Sequence, residues 1–441
     1  MINTSEVRRI LLLSVTGGFI SLFLLGCASH NRVSLKGDIS PTMATRELPE
    51  QELLNVGIQV FDPGTLPEDK DERQGLSQDI RQAEARFIPV HLKYTLQHTG
   101  FWGSVWVIPD ESRDVDLAIT GRIDWSDGEK LTVTVRAVDS RNVLWLDKTY
   151  SETCTPDEQK DTEPEKKDAF QDLYNAISND LVGLRNHLSR AEITQIRQVT
   201  MLRYGAEVSP EPFKDYFIRD EKDHFIITHL PAQNDPMIRR IKAVRSRDQM
   251  LLDTFTGMYD NYYLQLWEAY HNWRRFRADE LRTMHGIEHE AFTRQALGIA
   301  AIVAAVALGA ISDQDVQRSI DPVRGVLAAG GTAAVYSGYQ MRKETKMNKE
   351  VIEELGESFA SESRPLVVKV QGETVRLSGT AKEQYVKWQE LLRKIYLSET
   401  GLDQGLPVIM GIEQEDNPQT SSEDEGQAQD TVVEESDTST K

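Results

Sequence analysis

Cysteine is nearly absent: 441 residues hold two, Cys27 and Cys154. Two thiols leave no disulfide framework and no paired C-x-x-C for a structural zinc. Excess positive charge is also missing. Fifty Lys and Arg stand against seventy Asp and Glu, a formal charge of −20 at pH 7. The phosphate term would be repulsive, which argues against nucleic acid and against anionic lipid headgroups as partners. The chain lacks a G-x-S-x-G elbow, a Walker A loop and a G-x-G-x-x-G opening a helix. Its apolar runs stay short of the ~20 residues a membrane-spanning helix needs.

What is there starts with Arg8 and Arg9, followed by the apolar stretch Ile10 to Leu25, which ends in Leu24-Leu25-Gly26-Cys27. A basic start, a short apolar run and a small residue before the cut describe a secretory signal peptide at 1–26; an uncleaved membrane anchor is the alternative. The cysteine directly after that small residue makes a lipobox, so the chain resembles bacterial lipoproteins. The resemblance implies a diacylglycerol on the Cys27 sulfur, cleavage before Cys27 and acylation of the new N-terminus. Three acyl chains bury far more methylenes than the single chain that binds marginally, so the partner is a membrane held through lipid. Ala28, rather than Asp, follows the cysteine, which by the same resemblance implies the periplasmic face of the outer membrane. Removing Arg8, Arg9 and Glu6 takes the formal charge to −21. In an oxidising periplasm Cys154 is a leftover thiol, either incidental or redox-active.

Composition and length suit two or three domains. Residues 27–50 read as a tether, and residues 51–151 as an α+β periplasmic domain. Leu53 to Phe61 is expected as a buried strand broken by Asp62-Pro63-Gly64. Ser77 is a candidate cap for a helix from Gln78, with Pro89 expected to kink or restart it. Val105 to Ile108 is a short strand. Asp116 to Trp125, Leu131 to Val138 and Val143 to Tyr150 make three strands, the first two alternating, with turns at Ser126-Asp127-Gly128 and Asp139 to Asn142. The expectation is an N-terminal antiparallel sheet with a helix on one face. The strand with its VGIQVF core, the helix and the meander are similar to the periplasmic domain of the curli-secretion lipoprotein, a type also found at the start of the Tol translocation protein. That likeness spans roughly 50–190.

Residues 155–168 are almost wholly polar and read as a solvated linker. A helical region, 169–295, follows. Phe170, Leu173, Tyr174, Ile177, Leu181, Leu184 and Leu188 form one apolar stripe. Phe225 to Thr228 is a candidate short strand. From Asp235-Pro236 apolar residues recur at spacings of three and four, predicting a helix from about 237 to 311 with Gly286 a candidate break. Its aromatics, Tyr259, Tyr262, Tyr263, Trp267, Tyr270 and Trp273, suit either a bundle core or a partner-binding face.

Residues 296–343 form a Gly/Ala-rich apolar hairpin. Ala296 to Ile311 carries no polar side chain, and Val326 to Tyr339 is its second arm. Gly298, Gly309, Gly330, Gly331 and Gly338 let helix backbones approach closely, so they are candidate membrane or oligomer contacts. Three readings stay open: the buried centre of a soluble bundle, insertion into lipid by a ring of protomers, or a homo-oligomer interface in water. Residues 349–412 read as a small αββα module that resembles BON modules, with strands Val367 to Val370 and Val375 to Gly379, a capping box at Thr380 and Glu383, and a last strand at Pro407 to Ile412. Residues 413–441 hold ten acidic side chains against Lys441 alone and read as a disordered tail.

His285-Gly286-Ile287-Glu288-His289 fits the H-x-x-E-H of inverzincin metallopeptidases. Two His four apart on a helix face could hold zinc, with Glu288 as base and Glu357 or Glu362 as third ligand. The same residues suit an ordinary helix surface, because the α/β peptidase surroundings are missing and glycine weakens the helix. The sequence therefore points to a non-enzymatic envelope lipoprotein with no cofactor beyond lipid, acting with envelope proteins as an assembly or scaffold factor. Its alternatives are an oligomeric channel or secretion component with an inserted hairpin, and a zinc metallopeptidase.

Overall fold

A computed structural model describes residues 31–35, 37–69, 76–110, 112, 114–232, 234–307, 349–354, 356, 366–370, 373–400 and 413–414, with side chains on the long helix as far as 283. The frame is the meander of β4 (Leu117–Ser126), β5 (Lys130–Asp139) and β6 (Leu144–Thr153), after β1 (Asn31–Ser34), β2 (Val56–Gln59) and β3 (Val105–Ile108). Alternation makes the meander one-sided. Leu131, Val133, Val135 and Ala137 of β5 are buried, while Thr134 and Arg136 between them face outward. Together the six strands form one sheet in the order β1-β6-β5-β4-β2-β3.

The fold class is α+β, and the meander is antiparallel as the alternation indicates. The sheet as a whole is mixed. Strands β2 and β3 are linked by helix α1 (Gln78–Thr99), and a helical crossover delivers parallel neighbours; β2 lies parallel to both β3 and β4. The break after β2 falls where expected: Gly64 has φ +66°, and the Asp62 carboxylate accepts its amide at 2.8 Å.

Pro89 does not restart α1, which runs unbroken over 22 residues. A proline at that position withdraws the donor for the Ala85 carbonyl. That carbonyl accepts instead from the Phe61 amide at 2.9 Å, so the defect in the helix fastens the end of β2. The outer edge of β3 is covered in a similar way by the long helix α4 (Pro236–Ala307): the Thr256 hydroxyl accepts from the Val107 amide at 3.2 Å, and Asp253 accepts from the Trp106 indole at 2.7 Å. Helices α2 (Gln171–Asn186) and α3 (Arg190–Val208) complete the layer, the apolar stripe of α2 lying inward except for Leu184.

Three expectations about the backbone change. Residues 31–50 are not a free tether. Strand β1 pairs in parallel with Lys148–Ser151 of β6, the Asp172 and Asn179 side chains accept the amides of Ile39 and Thr42, and the Ala44 amide reaches the Thr99 carbonyl. Residues 155–168 are largely exposed, as the polar composition indicates, but they are held in place: Gln159 and Asp168 are buried among tertiary partners. Finally, α4 passes through Gly286 without a break, for about 108 Å at 1.5 Å per residue. One glycine costs about 1 kcal/mol, which a long cooperative helix absorbs.

Tyr259, Tyr262, Tyr263, Tyr270 and Trp273 are buried against Phe87 and neighbours on α1, so the aromatic stripe is core. Strands β7 (Phe217–Arg219) and β8 (Phe225–Ile227) pair antiparallel, the second where a short strand was expected. Strands β9 (Leu366–Val370) and β10 (Glu373–Leu377) form a hairpin, and α5 (Ala381–Thr400) carries the expected capping box, Glu383 accepting the Thr380 amide at 2.9 Å. Tyr385, Trp388 and Leu392 of α5 share a core with Ile241, Leu252 and Phe255 of α4, so this module is docked on the body. Two residues expected in the tail, Glu413–Gln414, pair with β10 as strand β11; the strand expected at 407–412 lies outside the described residues. The second hairpin arm and the rest of the tail lie outside them too.

Gly121 offers a direct test of packing. A Cβ there would meet the Phe61 ring at 2.4 Å. Gly121→Ala should cost about 1–3 kcal/mol by overpacking, read by denaturant unfolding, and Phe61→Leu in the same chain should return part of it.

Candidate ligand groove and the buried network behind it

Helix α1 meets α4 through polar groups as well as rings. Arg274 of α4 is fully buried and forms two hydrogen bonds to Asp168, at 2.8 and 2.5 Å. Burial alone would raise the Asp168 carboxyl; Arg274, by charge and by hydrogen bonds, outweighs it and holds the group down at about 2. Glu84 of α1 accepts from the Ser126 hydroxyl at 2.5 Å and from the Tyr270 hydroxyl at 2.6 Å. Burial pushes its carboxyl up, opposed by those two donors. On His91, Nε2–H donates to Gln171 Oε1 at 2.8 Å, so Nδ1 accepts from the Tyr263 hydroxyl at 2.8 Å. Burial, the largest influence, pushes His91 down and keeps it neutral. The Asp168 carboxylate, the terminal nitrogens of Arg274 and both His91 nitrogens are thus committed to partners that tie α1, the start of α2, α4 and Asp168 to one another.

Cys154 is buried too. Its thiol lies 3.3 Å from the Glu129 carbonyl, and the Gln159 amide nitrogen is 3.1 Å from the sulfur. Burial pushes the thiol up to about 12, which removes thiolate reactivity. Nearby, Glu152, Glu158 and Asp172 each bring a carboxylate oxygen within 4.8 Å of the others, the one group of possible metal ligands among the described residues. Each has a local reason to be there. Glu152 accepts the Leu173 amide at the start of α2, Glu158 the Thr155 amide, and Asp172 the Ile39 amide.

A groove of about 630 Å³ opens between α3 and the first turns of α4. Thr194, Arg197, Gln198 and Met201 line one wall; Ile238, Lys242, Arg245 and Gln249 line the other. Both sets follow helical spacing, which is why each presents one face. Asn55 and Asp116 lie at the sheet end, with Gln51 and Leu230-Pro231-Ala232 at the rim. Asp116 is satisfied: Thr200 donates to one oxygen at 2.6 Å and the Asn55 amide to the other at 2.8 Å. Arg245 pairs through Nε with the buried Asp114, whose carboxyl burial raises to about 7. Arg197 donates through one nitrogen to the carbonyls of Glu50 and Leu53. Lys242 is exposed.

Of the residues singled out in the sequence, His285, Glu288 and His289 fall one turn apart on α4, and Gly298 lies further along it; their side chains are outside the described residues. Cys27, Ala28, Gly309, Gly330, Gly331, Gly338, Glu357 and Glu362 are outside them as well. Sequence reading missed the groove. Its one available signal was the paired polar faces of α3 and α4, at Thr194, Arg197, Gln198 and at Lys242, Arg245, Gln249. Comparison with protein-family models, curated proteins and solved structures returns no match.

Arg274→Met should strand the Asp168 charge and cost about 3–5 kcal/mol in denaturant unfolding; adding Asp168→Asn should restore part of that loss. Glu152 gives a pH test. Burial, then nearby acids, raises its carboxyl to about 8, above the unfolded value. Its favourable contribution is therefore complete below the unfolded value and lost as pH rises through about 8. Glu152→Gln keeps an acceptor for the Leu173 amide and cannot ionise, so between pH 6 and 9 its unfolding midpoint should fall less than that of the parent chain.

Proposed function

We propose that this chain is a non-enzymatic lipoprotein, anchored through Cys27 on the periplasmic face of the outer membrane, that serves as an assembly or scaffold factor for envelope proteins. One observation carries the reading. Between Cys27 and the pairing of β1 with β6 lie three residues, Ala28, Ser29 and His30. Four peptide steps span at most about 14 Å. An anchor at Cys27 therefore holds the β1 edge of the sheet close to the membrane, in place of a body swinging on a long leash. The buried Arg274–Asp168 pair and the aromatic core fix α4 to that same sheet, so an orientation set at β1 is transmitted to α4 and to the groove. A rigid body with a defined attitude to the membrane suits a scaffold. No described helix is long and apolar enough to cross a membrane.

The two cysteines supply the test. Native protein extracted in detergent should react with no thiol reagent, because Cys154 is buried. After denaturation it should titrate one thiol per chain. Two thiols would show Cys27 free and overturn the anchor. Independently, a fluorophore on Ser34→Cys, an exposed position on β1, should be quenched by nitroxide at the lipid headgroups. Absence of quenching in membrane-bound protein would contradict the short attachment.

A further inference from the structure

The groove between α3 and α4 goes beyond this reading and does not depend on the anchor. Its chemistry is unusual for a chain of formal charge −20. Three cationic side chains, Arg197, Lys242 and Arg245, converge on one concavity, and its lining carboxylate, Asp116, already has both oxygens bonded. Arg197 uses one terminal nitrogen on backbone carbonyls and Arg245 uses Nε on Asp114, so each retains further N–H groups. Of the four side-chain amides in the lining, Asn55 already accepts the Ser104 amide and Gln249 hydrogen-bonds Asp114, which leaves Gln51 and Gln198 between the charges for a ligand. An amide donates and accepts at once, as a peptide group does. Met201, Leu202, Leu230, Pro231 and Ile238 add apolar wall.

A bare phosphate would engage the cations and leave the amide oxygens and the apolar wall unused. An apolar ligand would bury cations without partners, at a desolvation cost. A peptide uses all three: carboxylates for Arg197, Lys242 and Arg245, backbone groups for the amides, and aliphatic side chains for the walls. The volume of about 630 Å³ is within the ~300–1,000 Å³ of ligand sites. We infer that this groove binds an extended acidic peptide segment, one alternating carboxylate and aliphatic side chains, presented by a partner protein.

The test is fluorescence anisotropy of the purified full chain in detergent with a fluorescein-labelled Glu-Val-Glu-Ile-Glu-Val peptide, against its Lys-Val-Lys-Ile-Lys-Val counterpart. The acidic probe should bind and the basic one should not, with affinity falling as salt rises. Lys242 is exposed and holds no element in place, so Lys242→Glu should lower affinity about tenfold or more by like-charge repulsion while leaving the unfolding midpoint unchanged. Gln198→Glu should act in the same direction. Equal binding of both peptides, or a Lys242→Glu chain that binds as the parent does, overturns the proposal. So does full displacement by millimolar inorganic phosphate, which would make the groove a simple anion site. A chain ended after Gln414 that binds about tenfold tighter would assign the groove to this chain's own acidic tail, and would equally overturn the partner assignment.

Discussion

Arg274 and Asp168 form an ion pair with side-chain exposures of 1% and 0%. Two charges taken out of water cost several kcal/mol each and are tolerable only together, with further hydrogen bonds. That condition organises much of the molecule. Asp168 also accepts the Phe170 amide at 3.0 Å, which sets the chain entering α2. Arg274 lies over the rings of Phe170 and Tyr270, and Tyr270 reaches across to Glu84 on α1. Helix α4 has no freedom to slide, since a shift of one turn would strand both charges. The aromatic contacts around Phe87 supply the area; the ion pair supplies the register.

Similar logic recurs where the backbone is left short of a partner. The carbonyl freed by Pro89 takes the Phe61 amide, and the open edge of β3 takes the Thr256 hydroxyl. Buried main-chain groups must find partners, and here each solution ties a helix to the sheet. The price is a body with few independent parts. Even the C-terminal module shares its core with α4, through the indole of Trp388 donating to Asp248 at 3.1 Å. A groove built on α3 and α4 therefore inherits fixed walls, which reduces the ordering cost of binding.

Local signals made part of this legible. The alternation of Leu131 to Val138, the turn at Asp62-Pro63-Gly64, the stripe on α2 and the Thr380/Glu383 box each depend on residues a few places apart, and each lies where the sequence put it. Features decided by distant partners were not legible. Asn31–Ser34 is too short and polar to read as a strand, and its partner Lys148–Ser151 is more than a hundred residues away. Residues 155–168 are mostly exposed as they read, but composition says nothing of Arg274, 106 residues on, which buries Asp168. Proline 89 announced a break because the spare acceptor was visible in sequence and the Phe61 donor was not. The groove needed two helices in register, so neither polar face alone announced it.

What Cys27 carries matters most, since on the proposed reading a lipid there would set the address of the protein and, through three residues, the attitude of its sheet. Intact-mass analysis of the detergent-extracted protein addresses that directly. The account predicts a chain beginning at Cys27 whose mass exceeds that of residues 27–441 by one diacylglyceryl group and one further acyl chain. A chain that still begins at Met1, or one whose Cys27 carries no lipid, would contradict it.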